Sequence, residues 1–390
     1  MMARKALGPA TLEIVQAVRG HATGAMVAAV SGGADSLALA HAVAHVGAER
    51  DLPYAAVTVD HGLQDGSAER AATVAEQLRA MGYSDVVIER VEVAPAGRPA
   101  GPEGDARAAR YAVLDAAAAA RGADLVLGHT LDDQAETVLL GLLRGSGSRS
   151  LAGMAVRSGR RLRPLLWLRR DRTRTACAEL GLQVWDDPHN SDPRFTRSRI
   201  RARLLPLLAD ELGPGIPEAL ARTADLARAD ADLLDRLAGD LYARVLIPSE
   251  VANSPQDRDP RATERSAELP GVLGSSGVLG SSGGLGSSKD RDSSADAGRI
   301  AGADPDADAA RRPGQPALSC APLADADAAL RTRVIKRWLT DGGAAEVPYA
   351  HVRAVEALIT DWHGQQEVQV RGIAVRRIAG ELRVVGKSGL

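Results

Sequence analysis

Four short apolar runs alternate with stretches of helical periodicity over residues 25–144, and that alternation leaves few folds open. The runs are AMVAAV at 25–30, YAAVTV at 54–59, DVVIERVEV at 85–93 and ADLVLG at 123–128. LALAHAVAHV follows the first run, and residues 67–81, 103–121 and 131–144 also repeat their apolar positions at helical spacing. Short strands that are apolar throughout are buried on both faces, as in a parallel sheet sandwiched between helices. The expected fold class is α/β, with a Rossmann-like parallel sheet. Ligands of such sheets sit beyond the carboxyl ends of the strands. Ser31, Asp60, His61 and His129 stand at those ends.

The first run leads directly into Ser31-Gly32-Gly33-Ala34-Asp35-Ser36 and then into a helix. Two glycines permit a tight turn and close backbone approach. Backbone N–H groups at a helix N-terminus attract phosphate, and Ser31 and Ser36 add hydroxyls. Asp35 has the wrong charge for phosphate, which suggests a Mg²⁺ ligand. Neither GxxxxGK[ST] nor GxGxxG is present, and no Lys lies nearby. Further on, His129 precedes Asp132, Asp133 and Glu136 at the start of the next helical stretch. Asp132 and Glu136 are four apart and share a helix face. Such a cluster can hold Mg²⁺ or an ammonium group. An acidic helix cap would explain one or two of these carboxylates, but not His129 before them or RGSG at 144–147 after them.

SGGADS resembles the PP-loop of the N-type ATP pyrophosphatases, which split ATP between the α- and β-phosphates and transfer AMP to a substrate oxygen. GHTLDDQAETVLLGLLRGSG at 128–147 is similar to the GHxxDDQxET…RGSG segment of tRNA(Ile)-lysidine synthetases and related tRNA thiolases. VDHGL at 59–63, RAARY at 107–111, RPLL at 163–166 and WDDPHNSDPRFTRSRIR at 185–201 extend the resemblance. Ser198 stands where Asn is usual in the last of these. The likeness covers residues 1–250 well and 318–390 loosely.

The resemblance implies ATP and Mg²⁺ as cofactors, and a tRNA(Ile) with a CAU anticodon and free L-lysine as partners. ATP would adenylate the wobble cytidine at O2, and the ε-amine of lysine would then replace AMP at C2. Expected nucleotide-binding residues are Ser31, Gly32, Gly33, Ala34, Asp35, Ser36, Asp60 and His61. Expected catalytic residues are Asp35, His129, Asp132, Asp133 and Glu136, with Asp35 and Asp132 on the metal and His129 a proton acceptor. Arg107 and Arg110 are available for phosphate. Related enzymes often form homodimers.

Net charge is only −2, yet residues 151–210 carry 13 Arg against 6 Asp or Glu, a surplus of +7. That stretch fits an RNA backbone, with Arg194, Arg197, Arg199 and Arg201 as contacts. Trp167, Trp185 and Phe195 can stack on bases or fill the core. The other reading of the arginines is a compositional habit, since only four basic residues are Lys.

Three segments follow: a PP-loop catalytic domain at 1–210, a small α+β tRNA-binding domain from 211–250 and 318–390, and a low-complexity, disordered insertion at 251–317. The insertion repeats GVLGSS, GVLGSS and GGLGSS at 271–288, too short and too rich in Gly and Ser to bury a core. Two distant cysteines, Cys177 and Cys320, argue against a disulfide scaffold and against sulfur-transfer chemistry. No apolar run is long enough to span a membrane and no signal peptide is visible, so a cytoplasmic enzyme is expected. The competing readings are a 2-thiolating tRNA enzyme of the same superfamily, or a non-catalytic RNA-binding protein with an ATP-binding fold.

Overall fold

The order of strands and helices read from the sequence is that of the structure, a computed structural model describing residues 6–60, 62, 66–91, 101–145, 147–186, 192–248, 315–345, 347–365 and 367–385. The chain divides into two units, Met1–Leu233 and Leu234–Leu390.

The first unit opens with α1 (Pro9–His21), β1 (Met26–Ala29), α2 (Ala34–Arg50), β2 (Tyr54–Asp60), α3 (Ser67–Ala80), β3 (Val86–Arg90), α4 (Gly101–Ala120), β4 (Asp124–Val126) and α5 (Leu131–Leu143). It continues with α6 (Ser148–Leu151), β5 (Arg157–Ser158), β6 (Arg161–Leu162), α7 (Arg170–Leu180), α8 (Thr196–Arg199), a π-helical turn (Ile200–Leu204) and α9 (Leu205–Leu212). A long helix, α10 (Ile216–Val245), begins here and ends in the second unit.

Six strands form one sheet in the order β3-β2-β1-β4-β6-β5, parallel except for β5. The chain builds outward from β1 through β2 to β3 and then returns to place β4 on β1's other side. Strand order therefore reverses beside β1, where open α/β sheets bind ligands. Both faces are covered, as the apolar strands require. One face packs Val15, Leu37, Val43, Leu78 and Cys177 from α1, α2, α3 and α7 against Met26, Ala28 and Ala56. The other packs Leu114, Ala117 and Ala118 of α4 against Val27, Val57 and Leu125. With few aromatics available, α2 fills its place with Leu, Val and closely packed Ala.

The start of α1 shows how tertiary contacts complete local structure. Gly8 at its N-cap offers no side chain, and Glu179 of α7 supplies the acceptor to the Ala10 and Thr11 amides at 3.1 and 2.9 Å. Residues 211–233, expected in the second domain, belong to the first unit. Ile216 and Leu220 pack against a cluster of Ala135, Leu139, Ile200 and Leu205, and Arg228 donates to the carbonyl of Met154 at 2.8 Å.

In the second unit, β7 (Leu246–Ile247), β8 (Ala317–Ser319), β9 (Val368–Val370), β10 (Ile373–Ile378) and β11 (Glu381–Val385) form an antiparallel sheet ordered β7-β8-β11-β10-β9. Its helices are α11 (Cys320–Ala324), α12 (Ala328–Asp341) and α13 (Tyr349–Thr360). Trp338 anchors the core at 1% exposure, and its indole N–H donates to the carbonyl of Pro316 at 2.8 Å. That bond, and Gln315 donating to the Gly342 carbonyl at 2.9 Å, give residues 315–317 a fixed place. The remainder of the expected insertion, 251–314, lies outside the described residues. Glu356 is buried beneath Arg331 at 2.8 Å and also pairs with Arg353. Among the described residues no helix is long and apolar enough to cross a membrane.

Candidate active site

β1 ends at Ala29, and Val30 extends its pairing by donating to Val57 at 2.9 Å. The chain then turns at Gly32, whose φ of +86° is the left-handed region that only glycine enters cheaply. A Cβ at Gly32 would lie 2.8 Å from Val74 Cγ2. The Gly32 carbonyl accepts from the Trp185 N–H at 3.0 Å, so the segment after α7 closes over the loop. Gly33 caps α2, and Ser36 braces the turn. The Ser36 hydroxyl donates to the Gly33 carbonyl at 2.9 Å and accepts from the Ser31 N–H at 3.1 Å. Ser36 thus shapes the loop, while Ser31 stays exposed at its mouth. Gly128 runs so close to the first turn of α2 that a Cβ there would meet the Asp35 carbonyl oxygen at 3.0 Å. This close approach requires the glycine before His129 and brings the two motifs together.

Asp133 divides its two oxygens between a helix cap and a pair of arginines. Its Oδ2 accepts from the Thr130 N–H and hydroxyl, both at 2.9 Å, in a capping arrangement. Its Oδ1 accepts from Arg170 at 2.6 Å and Arg201 at 3.3 Å. Arg170 also donates to Asp35 at 3.1 Å and lies 3.7 Å from Glu136. Arg201 donates to both oxygens of fully buried Glu136, at 2.7 and 3.1 Å. Asp132 meets the backbone of Arg170 instead, accepting from its N–H at 2.8 Å and capping α7, with Arg169 3.7 Å away.

The structure therefore gathers Asp35, His129, Asp132, Asp133 and Glu136 and adds two guanidinium groups at their centre. Nothing in sequence spacing marked Arg170, and Arg201 was expected on RNA. Their place is set by packing: α7 and the π-helical turn carry them to Asp133 from 37 and 68 residues away in sequence. Burial raises the pKa of Asp35 above its ordinary value against the opposing pull of Arg170 and Thr173. Burial likewise raises Glu136, with Arg201 opposing. Asp133 is pushed up by burial too, but Arg170, His129, the Thr130 amide and Arg201 together hold it below the usual carboxylate range.

The donor set does not fit a magnesium ion held by the protein alone. Asp35 has one oxygen bonded to Thr173 and the other to Arg170, and Asp132 is spent on the α7 cap. Among the described residues no group of three or more His, Cys, Asp or Glu side chains could hold a metal. Arg170 and Arg201 take up part, not all, of the charge that a cation would otherwise balance.

His129 is pushed down to about 4 by burial, so it is neutral near pH 7 and a poor match to an ammonium proton. Its Nε2 lies 3.4 Å from the Tyr111 hydroxyl, and its Nδ1 is buried without a partner. Because its pKa is depressed from 6.5, any stability it contributes is present above pH 6.5 and fades as pH falls toward about 4. The stability gap between the wild type and His129→Gln should narrow over that range in urea titrations. A gap that widens on acidification would contradict the neutral assignment.

Other expected residues have local tasks. Asp60 is buried and accepts from the Gly62 N–H at 3.0 Å, turning the chain after β2. His61 lies outside the described residues. Arg107 and Arg110 stack about Tyr111, their guanidinium carbons 5.1 and 5.6 Å from the ring centroid. Arg194 folds back onto Asp192 at 2.9 Å, and Arg199 donates to the carbonyls of Pro193 and Arg194 at 2.8 and 3.0 Å. Arg197 is half-buried in α8. Trp167 is exposed, while Trp185 lies under Arg70 at 4.8 Å.

The +7 surplus of residues 151–210 is largely neutralised by carboxylates from other segments. Arg157 pairs with Asp124, Arg161 with Asp115, Arg169 with Glu218 and Arg172 with Glu13, besides the cluster above. Much of this segment's charge cross-links the fold rather than facing outward.

Residues 9–208 match the family described as a PP-loop domain, and residues 318–383 match the one described as a TilS substrate binding domain. The chain is 43% identical to the tRNA(Ile)-lysidine synthase of Leifsonia xyli subsp. xyli, over 93% of this chain and 90% of that one. It is 42% identical to the enzyme of the same name from Thermobifida fusca, over 92% and 90%. With that of Salinispora tropica it shares 41% over 97% and 98%.

Proposed function

Because the chain belongs to the tRNA(Ile)-lysidine synthase family, we propose that it ligates free L-lysine to C2 of the wobble cytidine of a CAU-anticodon tRNA(Ile), consuming ATP. The observation that carries this reading is the junction of two motifs. Arg170 ties Asp35 of the phosphate loop to Asp133 of the His129 segment, so a turn suited to a nucleotide and a cluster suited to an ammonium group lie side by side.

In the first step the cytidine O2 attacks the α-phosphorus and pyrophosphate leaves. The α2 N-terminus and the exposed Ser31 hydroxyl would hold the phosphates, as pre-aimed donors that need no reorganisation during reaction. In the second step the lysine ε-amine, having lost a proton, attacks C2, and AMP departs with the O2 oxygen. Asp35, whose pKa burial raises and whose side chain stays one-quarter exposed, is better placed to take that proton than His129, while Glu136 is fully buried under Arg201. The cluster's carboxylates outnumber its guanidinium groups, which favours a substrate ammonium there.

The readings as a thiolase or an inert RNA-binding protein draw no support. Both cysteines are buried, and burial raises the Cys177 thiol to about 11, far from a reactive thiolate.

The test is mass analysis of tRNA incubated with ATP and isotopic lysine. A cytidine that gains one lysine and loses water is the expected product, with AMP formed only when lysine is present. ATP turnover indifferent to lysine would refute the reading.

A further inference from the structure

Transfer of AMP expels pyrophosphate, and the negative charge that develops on that leaving group is best met by a fixed cation beside the phosphate loop. The loop carries no Lys, and Arg170 next to it is shared among Asp35, Asp133 and Glu136. A second guanidinium, that of Arg70 on α3, stands at the loop's edge. α3 follows the carboxyl end of β2, the end of the sheet at which ligands sit. Val74 of α3 packs against the loop, so that a Cβ on Gly32 would lie 2.8 Å from its Cγ2. Arg70 comes one helical turn before Val74, nearer the mouth of the loop. Its Nη1 would lie 3.6 Å from a Cβ on Gly66, the N-cap of α3, so the side chain reaches back toward the strand ends. The guanidinium carbon sits 4.8 Å from the centroid of the Trp185 ring. Trp185 is itself tied down: its N–H donates to the Gly32 carbonyl at 3.0 Å, and the next residue, Asp186, pairs with Arg174 of α7 at 2.7 Å. A planar guanidinium laid on an aromatic face keeps its N–H donors at the rim, where an oxyanion can take them.

We propose that Arg70 is a catalytic residue of the adenylation step, receiving the β- and γ-phosphates of ATP and stabilising pyrophosphate as it leaves, with Trp185 as the platform that positions it. The inference rests on the function proposed above and adds a residue to its first step. As the cytidine O2 forms its bond to the α-phosphorus, the bond from that phosphorus to the bridging oxygen breaks, and the electron pair stays on the β-phosphate. The α2 amides supply partial charges at the turn, whereas Arg70 supplies a full one from the neighbouring helix. An interaction that strengthens as the leaving group gains charge raises kcat more than it lowers KM. The place of Arg70 against the Gly32 turn, through Trp185 and through its helix neighbour Val74, favours the phosphates of the nucleotide over those of the tRNA backbone. A stack that served only to close the segment after α7 over the loop would leave the chemistry untouched when removed.

The test measures tRNA-dependent lysine incorporation, and its inhibition by added pyrophosphate and by AMP, in the wild type, Arg70→Met and Arg70→Lys. Arg70→Met should lower kcat about a hundredfold, the scale of one lost donor to a developing anion, with a smaller change in the KM for ATP. Its inhibition by pyrophosphate should weaken about tenfold, the worth of a charge-assisted hydrogen bond. AMP keeps the α-phosphate and lacks the other two, so it should inhibit the variant as it does the wild type. Arg70→Lys keeps the charge and loses the fork, and should fall between the two. Arg70 is half-buried at the surface of α3, so both variants should unfold in urea close to the wild type. An Arg70→Met enzyme with wild-type kcat and wild-type inhibition by pyrophosphate overturns the proposal. So does one that loses AMP and pyrophosphate inhibition equally, since Arg70 would then act through the shape of the loop. A raised KM for tRNA with pyrophosphate inhibition intact also overturns it, because Arg70 would then hold an RNA phosphate. A wild type that incorporates no lysine overturns the proposed function itself, and this inference with it.

Discussion

Arg170→Met is expected to destabilise the first unit by about 3–5 kcal/mol, the usual cost of stripping a buried charge cluster of its partner. Arg170 is about one-fifth exposed and touches three carboxylates from two elements, Asp35 on α2 and Asp133 and Glu136 on α5. Without it those groups repel one another with only Arg201 among them. Their pKa values in the folded state then rise above the unfolded values, so the folded variant binds more protons than the unfolded chain. Its stability therefore falls as pH rises. Urea midpoints should show a deficit that is smallest near pH 5 and grows toward pH 8. A deficit independent of pH would show that Arg170 acts through packing alone. Activity should fall at least about a hundredfold, because the loop carboxylate and the Asp133 segment lose their common anchor. Arg170→Lys restores the charge but not the fork, and should recover stability more fully than rate.

Gly32→Ala should act the opposite way, with a modest loss of stability and a severe loss of activity. A side chain at φ +86° costs roughly 1–2 kcal/mol, and its Cβ would press on Val74 at 2.8 Å. Relief requires the turn to shift, and the turn is what aims the α2 amides. Displacements on this scale can cost about a hundredfold in rate. The assay is tRNA-dependent pyrophosphate release at saturating ATP. Gly33→Ala is the control for stability. Its φ is −76° and the nearest atoms to a Cβ are 3.8 and 3.9 Å away, so it should unfold much like the wild type. Equal destabilisation by the two substitutions would remove the steric argument.

Much of the site was legible before any coordinates. Two glycines between an apolar run and a helix locate the phosphate turn, because turn geometry is a local property of a few residues. Strand alternation gave the parallel sheet, and hence the end of it at which Ser31 and His129 stand. The Asp132, Asp133 and Glu136 cluster was visible as helix spacing. What the spacing could not say is that Asp132 caps α7 while Asp133 divides its oxygens between a cap and Arg170.

The arginines mark the boundary most clearly. Summed by segment, residues 151–210 read as a basic face for RNA. In the folded chain Arg157, Arg161, Arg169, Arg170, Arg172 and Arg201 find carboxylates from other segments, and half-buried Arg201, expected as an RNA contact, pairs with Asp133 and buried Glu136. The sequence by itself determined the elements, their order and the residue types at the strand ends, since periodicity and turn chemistry act over a few neighbouring positions. The tertiary structure alone decided which charges cancel and which remain for a ligand. Ion pairing depends on distances of a few ångströms between side chains that lie far apart along the chain, and only packing sets those distances.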